Sequence, residues 1–456
     1  MKYDAIVIGS GQAGIPLSFR LADIGWQVAL IEKGFLGGTC INNGCSPTKT
    51  MVHRAQVAHY ARNATRWGVR ATGVSADLGT IVDQKNKVVR SFRGGKEKQM
   101  AKRPNLHFHS GHARFVDVHR IQVGDAVLEA EKIFINTGGR SREPQIAGLA
   151  AAPYLTNENI MDLTVVPDHL IVLGGGYIGL EFAQMFARFG SRVTVIHNSG
   201  QIASREDPEV AAELQRVLEA EGITFLLNAR ATRVEQDGGA IVISVDRTLT
   251  PSAVRGSHLL VAVGRRPNTD DLGLESTGVE TDSDGFIKVN GRLETNVPGV
   301  WALGDVKGGP AFTHIAYNDF QIVDANLTQG KHLTIENRIV PYSLFTDPQL
   351  GRVGMTEKEA RAKGYKLKIG KVQMTHVARA IERDETAGLM KIIVERARDR
   401  ILGATTLATE GGELIHMLYA LMLGNLPYTL LKGAVYIHPT LTEGFFALLE
   451  DVRPVN

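Results

Sequence analysis

The chain has 456 residues, room for about three domains, with 51 Lys and Arg against 48 Asp and Glu. A net charge of +3 gives no broad electrostatic case for nucleic acid or an anionic membrane as partner, and 43% hydrophobic with 22% charged residues excludes disorder or coiled coil as the dominant state. No run approaches the ~20 apolar residues of a membrane-spanning helix.

Met1-Lys2-Tyr3-Asp4 leads straight into a strand, so the expectation is a chain without a cleaved secretion signal, in the cytoplasm. Tyr3 to Ile8 reads as a strand buried on both faces. Gly9-Ser10-Gly11-Gln12-Ala13-Gly14 follows, then a helix with Ala13, Leu17, Leu21 and Ile24 on one stripe and Pro16 tolerated in its first turn. A second strand, Gln27 to Ile31, ends at Glu32. Each part suits a dinucleotide: Gly9 for the tight turn, Gly11 for backbone approach to a pyrophosphate, Gly14 for close helix–strand packing, Glu32 for a ribose diol.

Both cysteines of the chain lie in Gly37-Gly38-Thr39-Cys40-Ile41-Asn42-Asn43-Gly44-Cys45-Ser46-Pro47-Thr48-Lys49, and Ser46-Pro47 reads as a helix start. A thiol beside a helix N-terminus has a stabilised thiolate, and two close thiols can form a reversible disulfide. A zinc site would need two more ligands, and no neighbouring Cys or His pair has that spacing; two ordinary core cysteines are the other reading. Arg90 to Arg103, with Glu97 its only acid, reads as a solvated helix or linker in preference to a patch for an anionic partner.

The glycine pattern recurs: strand His169 to Leu173, Gly174-Gly175-Gly176-Tyr177-Ile178-Gly179, a helix through Phe182, Phe186 and Phe189, and strand Arg192 to Ile196 ending at His197-Asn198. Two such units predict two dinucleotides, each in its own domain. At the second, His197 and Asn198 stand where an acid would grip a free 2′-OH, and Arg205 is near in sequence. This favours NADPH and leaves NADH open.

GGTCINNGCSPTK resembles the redox-active segment of the class I flavoprotein disulfide reductases, the pyridine nucleotide-disulfide oxidoreductase family. So do a third glycine segment, Thr295 to Asp305, together with Pro341 to Pro348 and His438-Pro439-Thr440-Leu441-Thr442-Glu443. The resemblance spans essentially the whole chain. Within the family the motifs look closest to the reactive-chlorine-resistance and mercuric reductase-like group. It implies an α/β chain of two Rossmann-like domains, for FAD and NAD(P), and an α+β C-terminal dimerisation domain. The expected divisions are 1–146 and 266–335 for FAD, 147–265 for NAD(P) and 336–456 for dimerisation.

By that resemblance, Gly9, Gly11, Gly14, Glu32, Gly38, Thr39, Gly304 and Asp305 hold FAD, Asp305 through the ribityl chain. Gly174, Gly176, Tyr177, Gly179, His197 and Gly264 serve the nicotinamide coenzyme, with Tyr177 a gate or a bulky helix-start residue. Cys45 faces the flavin and Cys40 meets the acceptor. Lys49 pairs with Glu181 near the flavin. His438 and Glu443 form an acid–base dyad that serves the other subunit of a homodimer. The implied activity is NAD(P)H-dependent reduction, by way of FAD and a Cys40–Cys45 disulfide, of a small-molecule disulfide or a metal ion, with no resident metal. A dihydrolipoamide dehydrogenase, and a flavoprotein sensor with little turnover, stay open. The last eight residues, Leu449 to Asn456, hold no cysteine, so the metal-passing pair of mercuric reductase is not expected.

Overall fold

The computed structural model describes residues 1–247 and 252–455. Its first sheet is wholly parallel, in the order Val300–Ala302, Lys132–Ile135, Ala5–Ile8, Val28–Glu32, Leu106–Ser110. Ala5–Ile8 lies at its centre and is buried on both faces, as its unbroken apolar run requires. On one face Leu17 and Leu21 of the helix Gly14–Asp23 pack with Val7, Leu30, Phe134 and Leu303. The other face is covered by an antiparallel meander, Ala113–Phe115, Arg120–Val123 and Ala126–Glu129, which supplies Phe115, Ile121 and Leu128. Pro16 is the third residue of its helix, where a backbone N–H has no intrahelical acceptor to lose.

The plan repeats. A second parallel sheet runs Thr224–Leu226, Arg192–Ile196, His169–Leu173, His258–Val261. The helix Tyr177–Phe189 presses Leu180, Phe182, Phe186 and Phe189 onto one face. The meander Ala229–Asp237, Ala240–Arg247 and Ser252–Gly256 covers the other. The chain passes between the two sheets on Gly139–Ser141 and returns on Arg265–Pro267, and these two segments pair antiparallel.

The remainder is a six-stranded antiparallel sheet, ordered Pro341–Leu344, Gln349–Gly354, Ile401–Ala408, Leu389–Glu395, Leu367–Gln373, Arg453–Pro454. It is covered by the helices Gly411–Leu423 and Gly444–Glu450. Two of its cations are almost wholly buried and point at the second unit. Arg352 meets Glu206 at 3.3 Å, and Lys391 meets Glu209 and Glu357, each at 2.8 Å. Buried charges persist only when paired and hydrogen-bonded, so this cluster fixes how the antiparallel sheet seats on the second parallel unit.

The basic stretch Arg90 to Arg103 falls largely in the helix Leu78–Met100, which buries Val82, Lys85 and Val89. Arg93 turns inward, 3.8 Å from the Phe35 ring centre, and donates to Asn42 Oδ1 at 2.6 and 3.0 Å. No helix among the described residues is long and apolar enough to cross a membrane.

Candidate active site

The two glycine loops obey one steric rule. Gly9 has φ +101°, and a Cβ there would sit 2.2 Å from the Asn136 carbonyl oxygen; a Cβ on Gly14 would sit 2.0 Å from Gly9 O. Gly174 and Gly179 repeat this, at 2.3 Å from Ala262 O and 2.1 Å from Gly174 O. Side chains are excluded at both turns, so backbone N–H groups at the helix starts stay open to a phosphate. Glu32, at the strand end, accepts from Ser10 N (2.9 Å), Ser10 Oγ (2.7 Å) and Gly34 N (2.8 Å).

Sequence reasoning missed two braces, one on the first glycine loop and one on the turn that carries Asp305. Asn136 Oδ1 accepts from Gly14 N at 2.8 Å, and its Nδ2 donates to Leu303 O at 2.9 Å. Its only signal was an amide following the buried strand Lys132–Ile135. Asp319, fully buried, accepts from Gly304 N (2.9 Å) and pairs with Arg338 (2.6 Å) and Lys307 (3.3 Å). It thereby holds the turn that carries Asp305. Burial pushes the Asp305 carboxyl up, while Arg265, 3.5 Å away, and Lys307 pull it back. Asn136→Ala is expected to cost about 1–3 kcal/mol, because it strands a buried carbonyl and a helix-start N–H. Thermal unfolding checks this, with earlier flavin release as its companion.

The two loops open on one cleft of about 2500 Å³. Gly9, Gly11, Glu32, Gly38, Thr39 and Asp305 line one part, and Gly174, Gly176, His197 and Arg205 another. That exceeds the ~300–1,000 Å³ of a single drug-sized site, so the donor set and the space both fit two dinucleotides.

Cys40 sits in the short helix Gly38–Asn42, and Cys45 begins the helix Cys45–Arg62. Cys45 Sγ lies 3.0 Å from Thr313 Oγ1, a partner 268 positions away in the chain. The Cys45 thiol is pushed down to about 6, first by a hydrogen bond from Cys40, against burial, then by Thr313 and by the charge of Lys49; Glu181 opposes. The Cys40 thiol is pushed up by the same hydrogen bond, by burial and by the Cys45 charge. The pair therefore shares its proton unequally: Cys45 is the thiolate and Cys40 keeps the hydrogen. Among the described residues no three His, Cys, Asp or Glu side chains form a metal cage.

Lys49, one turn along the same helix, meets Glu181 at 2.7 Å and lies 4.7 Å from the Phe345 ring centre. The other Glu181 oxygen accepts from Phe345 N at 2.9 Å. Tyr177 precedes Glu181 by one helical turn, so both line the same wall. His197 Nδ1 accepts from Gly175 N at 3.2 Å, its Nε2 is buried without a partner, and burial lowers its pKa. The ring is thus braced against the glycine turn. Gly264 lines the cleft with nothing within 4 Å of where a Cβ would be.

His438 and Glu443 meet each other but not this cleft. His438 Nδ1 is 3.0 and 3.1 Å from the two carboxylate oxygens, and Glu443 also accepts from Thr440 N at 2.9 Å. Those bonds hold the Glu443 carboxyl below its usual range, the Thr440 N–H most. The imidazole is 70% exposed and stands beside Val435 and Ile437, apolar side chains 100% and 80% exposed. The structure thus gathers Cys40, Cys45, Lys49, Glu181, Tyr177 and Asp305 into one cleft, and leaves the dyad on an apolar surface.

Residues 3–319 match the pyridine nucleotide-disulphide oxidoreductase family, and residues 340–448 match its dimerisation domain. The chain is 36% identical to a probable pyridine nucleotide-disulfide oxidoreductase, RclA of Escherichia coli, over 99% of this chain and all of that one. It is 36% identical to a mercuric reductase of Streptomyces lividans, over 91% of this chain and 88% of that one. A dihydrolipoyl dehydrogenase of Thermus scotoductus is 35% identical over 99% and 97%. The solved Cu(II) complex of the E. coli HOCl-induced flavoprotein disulfide reductase RclA superposes with a TM-score of 0.91, covering 99% of each chain. The chain therefore belongs to the pyridine nucleotide-disulphide oxidoreductase family, oxidoreductases that use FAD and NAD(P)H.

Proposed function

We propose that this protein is a homodimeric, cytoplasmic flavoprotein that draws electrons from NADPH and delivers them through FAD and a Cys40–Cys45 disulfide to a small-molecule disulfide or a metal ion. The observation that carries this is the placement of the thiols: Cys45 opens a helix, 3.0 Å from Thr313 Oγ1 and one turn before Lys49, which pairs with Glu181 at 2.7 Å. The chemistry FAD brings when bound is two-electron acceptance from a hydride donor and delivery to a disulfide.

The side chains supply the rest. In the reduced pair Cys45 is held as thiolate by Cys40, Thr313 and Lys49. Removal of the Cys40 proton makes it the nucleophile: its sulfur bonds to one sulfur of an external disulfide, whose other sulfur leaves and takes up a proton. Cys45 then attacks the Cys40 sulfur, re-forms the internal disulfide and displaces the second external sulfur as a thiolate, which takes a proton from water. A base beside Cys40 is needed. The exposed His438–Glu443 dyad can provide it only from a second copy, which the apolar rim at Val435 and Ile437 would seat. Mixing Cys45→Ser chains with His438→Ala chains, each inactive alone, should restore about a quarter of the disulfide-reducing activity, since half of randomly formed dimers carry one intact site. Zero recovery after exchange would defeat the shared-site reading.

A metal-ion acceptor is favoured by the Cu(II) complex of RclA. Dihydrolipoamide dehydrogenase chemistry is the second reading, favoured by the full-length match to such an enzyme. The test is anaerobic mixing with NADPH and NADH in parallel, then with lipoamide, glutathione disulfide, Cu(II), Hg(II) and quinones. NADPH should reduce faster, because Arg205 lines the cleft exposed and no carboxylate stands at His197-Asn198. Arg205→Ala should cut the NADPH preference by about tenfold. Faster reduction by NADH defeats the coenzyme assignment, and rapid lipoamide turnover promotes the second reading.

A further inference from the structure

The turn that carries Cys40 is too short to support itself. The helix Gly38–Asn42 has five residues, well under the ~12–15 that hold an isolated helix together. Side chains tie it down. Asn42 Nδ2 donates to Gly38 O at 2.9 Å and to Phe35 O and Leu36 O, each at 3.2 Å. One amide thus joins the end of the turn to its start and to the segment before it. Its Oδ1 accepts from Arg93 Nε at 3.0 Å and from Arg93 Nη2 at 2.6 Å. One residue on, Asn43 O accepts from Asn157 Nδ2 at 3.1 Å.

Arg93 comes from another element, the helix Leu78–Met100. Its guanidinium is half-buried over the Phe35 ring, and among the described residues no carboxylate pairs with it. Asn42 and Phe35 are therefore what hold it in place. A guanidinium only donates and a carbonyl only accepts, so Arg93 also fixes which way the Asn42 amide faces. The oxygen must point to Arg93 and the NH₂ to the three carbonyls. Without Arg93 the amide oxygen loses both donors, and the carbonyl side has none to offer.

We infer that Arg93 is a positioning residue for the redox pair: by pinning Asn42 it holds the Cys40 turn in place beside Cys45, and so favours the closed disulfide over the open dithiol. This rests on the reading above that Cys40 and Cys45 form a reversible disulfide. The disulfide orders the turn by its own covalent bond, whereas in the dithiol only the tethers do so. Loss of a tether therefore frees the dithiol alone, and the equilibrium moves toward it. A hydrogen bond to a charged group is worth about tenfold or more, which sets the size of the effect. The Asn157 bond to Asn43 remains and keeps the loop from coming away entirely.

The test equilibrates the FAD-loaded protein, without oxygen, in mixtures of reduced and oxidised dithiothreitol. The reagent exchanges two electrons and two protons with the Cys40–Cys45 pair, and protein thiols are counted after an acid quench. Arg93→Met keeps an apolar stem on Phe35 and removes the donors. Its equilibrium should move about tenfold toward the dithiol, equivalent to about 30 mV. Its thiolate–flavin band should titrate at higher pH, because the hydrogen bond from Cys40 is the largest support of the Cys45 thiolate. Arg93→Lys, which can still donate to Asn42 Oδ1, should recover part of both changes. Asn42→Ala should shift the equilibrium at least as far, and adding Arg93→Met to it should change nothing more, because Arg93 acts through Asn42. Arg93→Met with a lowered melting temperature but both readouts unchanged would overturn the role and leave Arg93 merely structural. Additive effects, a shift toward the disulfide, or no recovery in Arg93→Lys would overturn it too. Should Asn42→Ala fail to fold, the two Arg93 variants still decide. An unsubstituted protein that forms no Cys40–Cys45 disulfide on oxidation overturns the redox reading and this role with it. One that forms it, while Arg93→Met matches it in both readouts, overturns the role alone.

Discussion

Cys45→Ser will abolish the long-wavelength thiolate–flavin absorbance of the two-electron-reduced, FAD-loaded protein. It will also cut disulfide-coupled turnover on the order of 10³-fold or more. The reason is local. Cys45 is the sulfur whose negative charge is supported from three sides, by Cys40, Thr313 and Lys49. Its pKa is lowered, so the thiolate is present above about 6 and is lost as the pH falls below it; the band should titrate with that midpoint. In Cys40→Ala the band should survive with its midpoint moved up, because the hydrogen bond from Cys40 is the largest support. A band that persists in Cys45→Ser sinks the assignment of the charged sulfur.

Lys49→Met and Glu181→Gln will move that same midpoint in opposite directions. Lys49 lowers the Cys45 pKa and Glu181 raises it, so loss of the cation shifts the midpoint up and loss of the carboxylate shifts it down. Stability adds a second readout. Lys49→Met leaves Glu181, 8% exposed, without its cation, at a cost toward the lower end of the ~3–5 kcal/mol of a broken buried pair, since Lys49 itself is a third exposed. The double variant should be less destabilised than Lys49→Met alone, measured by thermal unfolding. Midpoints that move the same way would show that packing, not charge, sets the thiolate.

Much of the fold could be read from local pattern. His169–Leu173 and Arg192–Ile196 have the bounds their apolar runs predict, because strands buried on both faces need continuous hydrophobicity. Ser46-Pro47 announced a helix start, and the helix begins one residue earlier, at Cys45 itself. What stayed hidden is polar and long-range. Thr313, Asn136 and Glu206 meet partners on distant parts of the chain, and no periodicity marks a side chain that bonds a residue more than a hundred positions away. Arg93 shows the same limit: a basic run reads as solvated, yet one guanidinium lies on Phe35 and bonds Asn42, between the cysteines. His197, read from its strand-end position as facing the coenzyme, turns one nitrogen to Gly175. The dyad is legible as a motif, but nothing within a single chain places it near the thiols.

In the proposed mechanism, electrons from the coenzyme come to rest on Cys40 and Cys45. Anaerobic titration of the oxidised, FAD-loaded protein with NADPH, with absorbance and accessible thiols recorded together, tests it most directly. The first two electrons are expected to yield two new thiols and a long-wavelength band while the main flavin absorbance stays in place. Bleaching of the flavin by the first equivalent, with no new thiol, would contradict it.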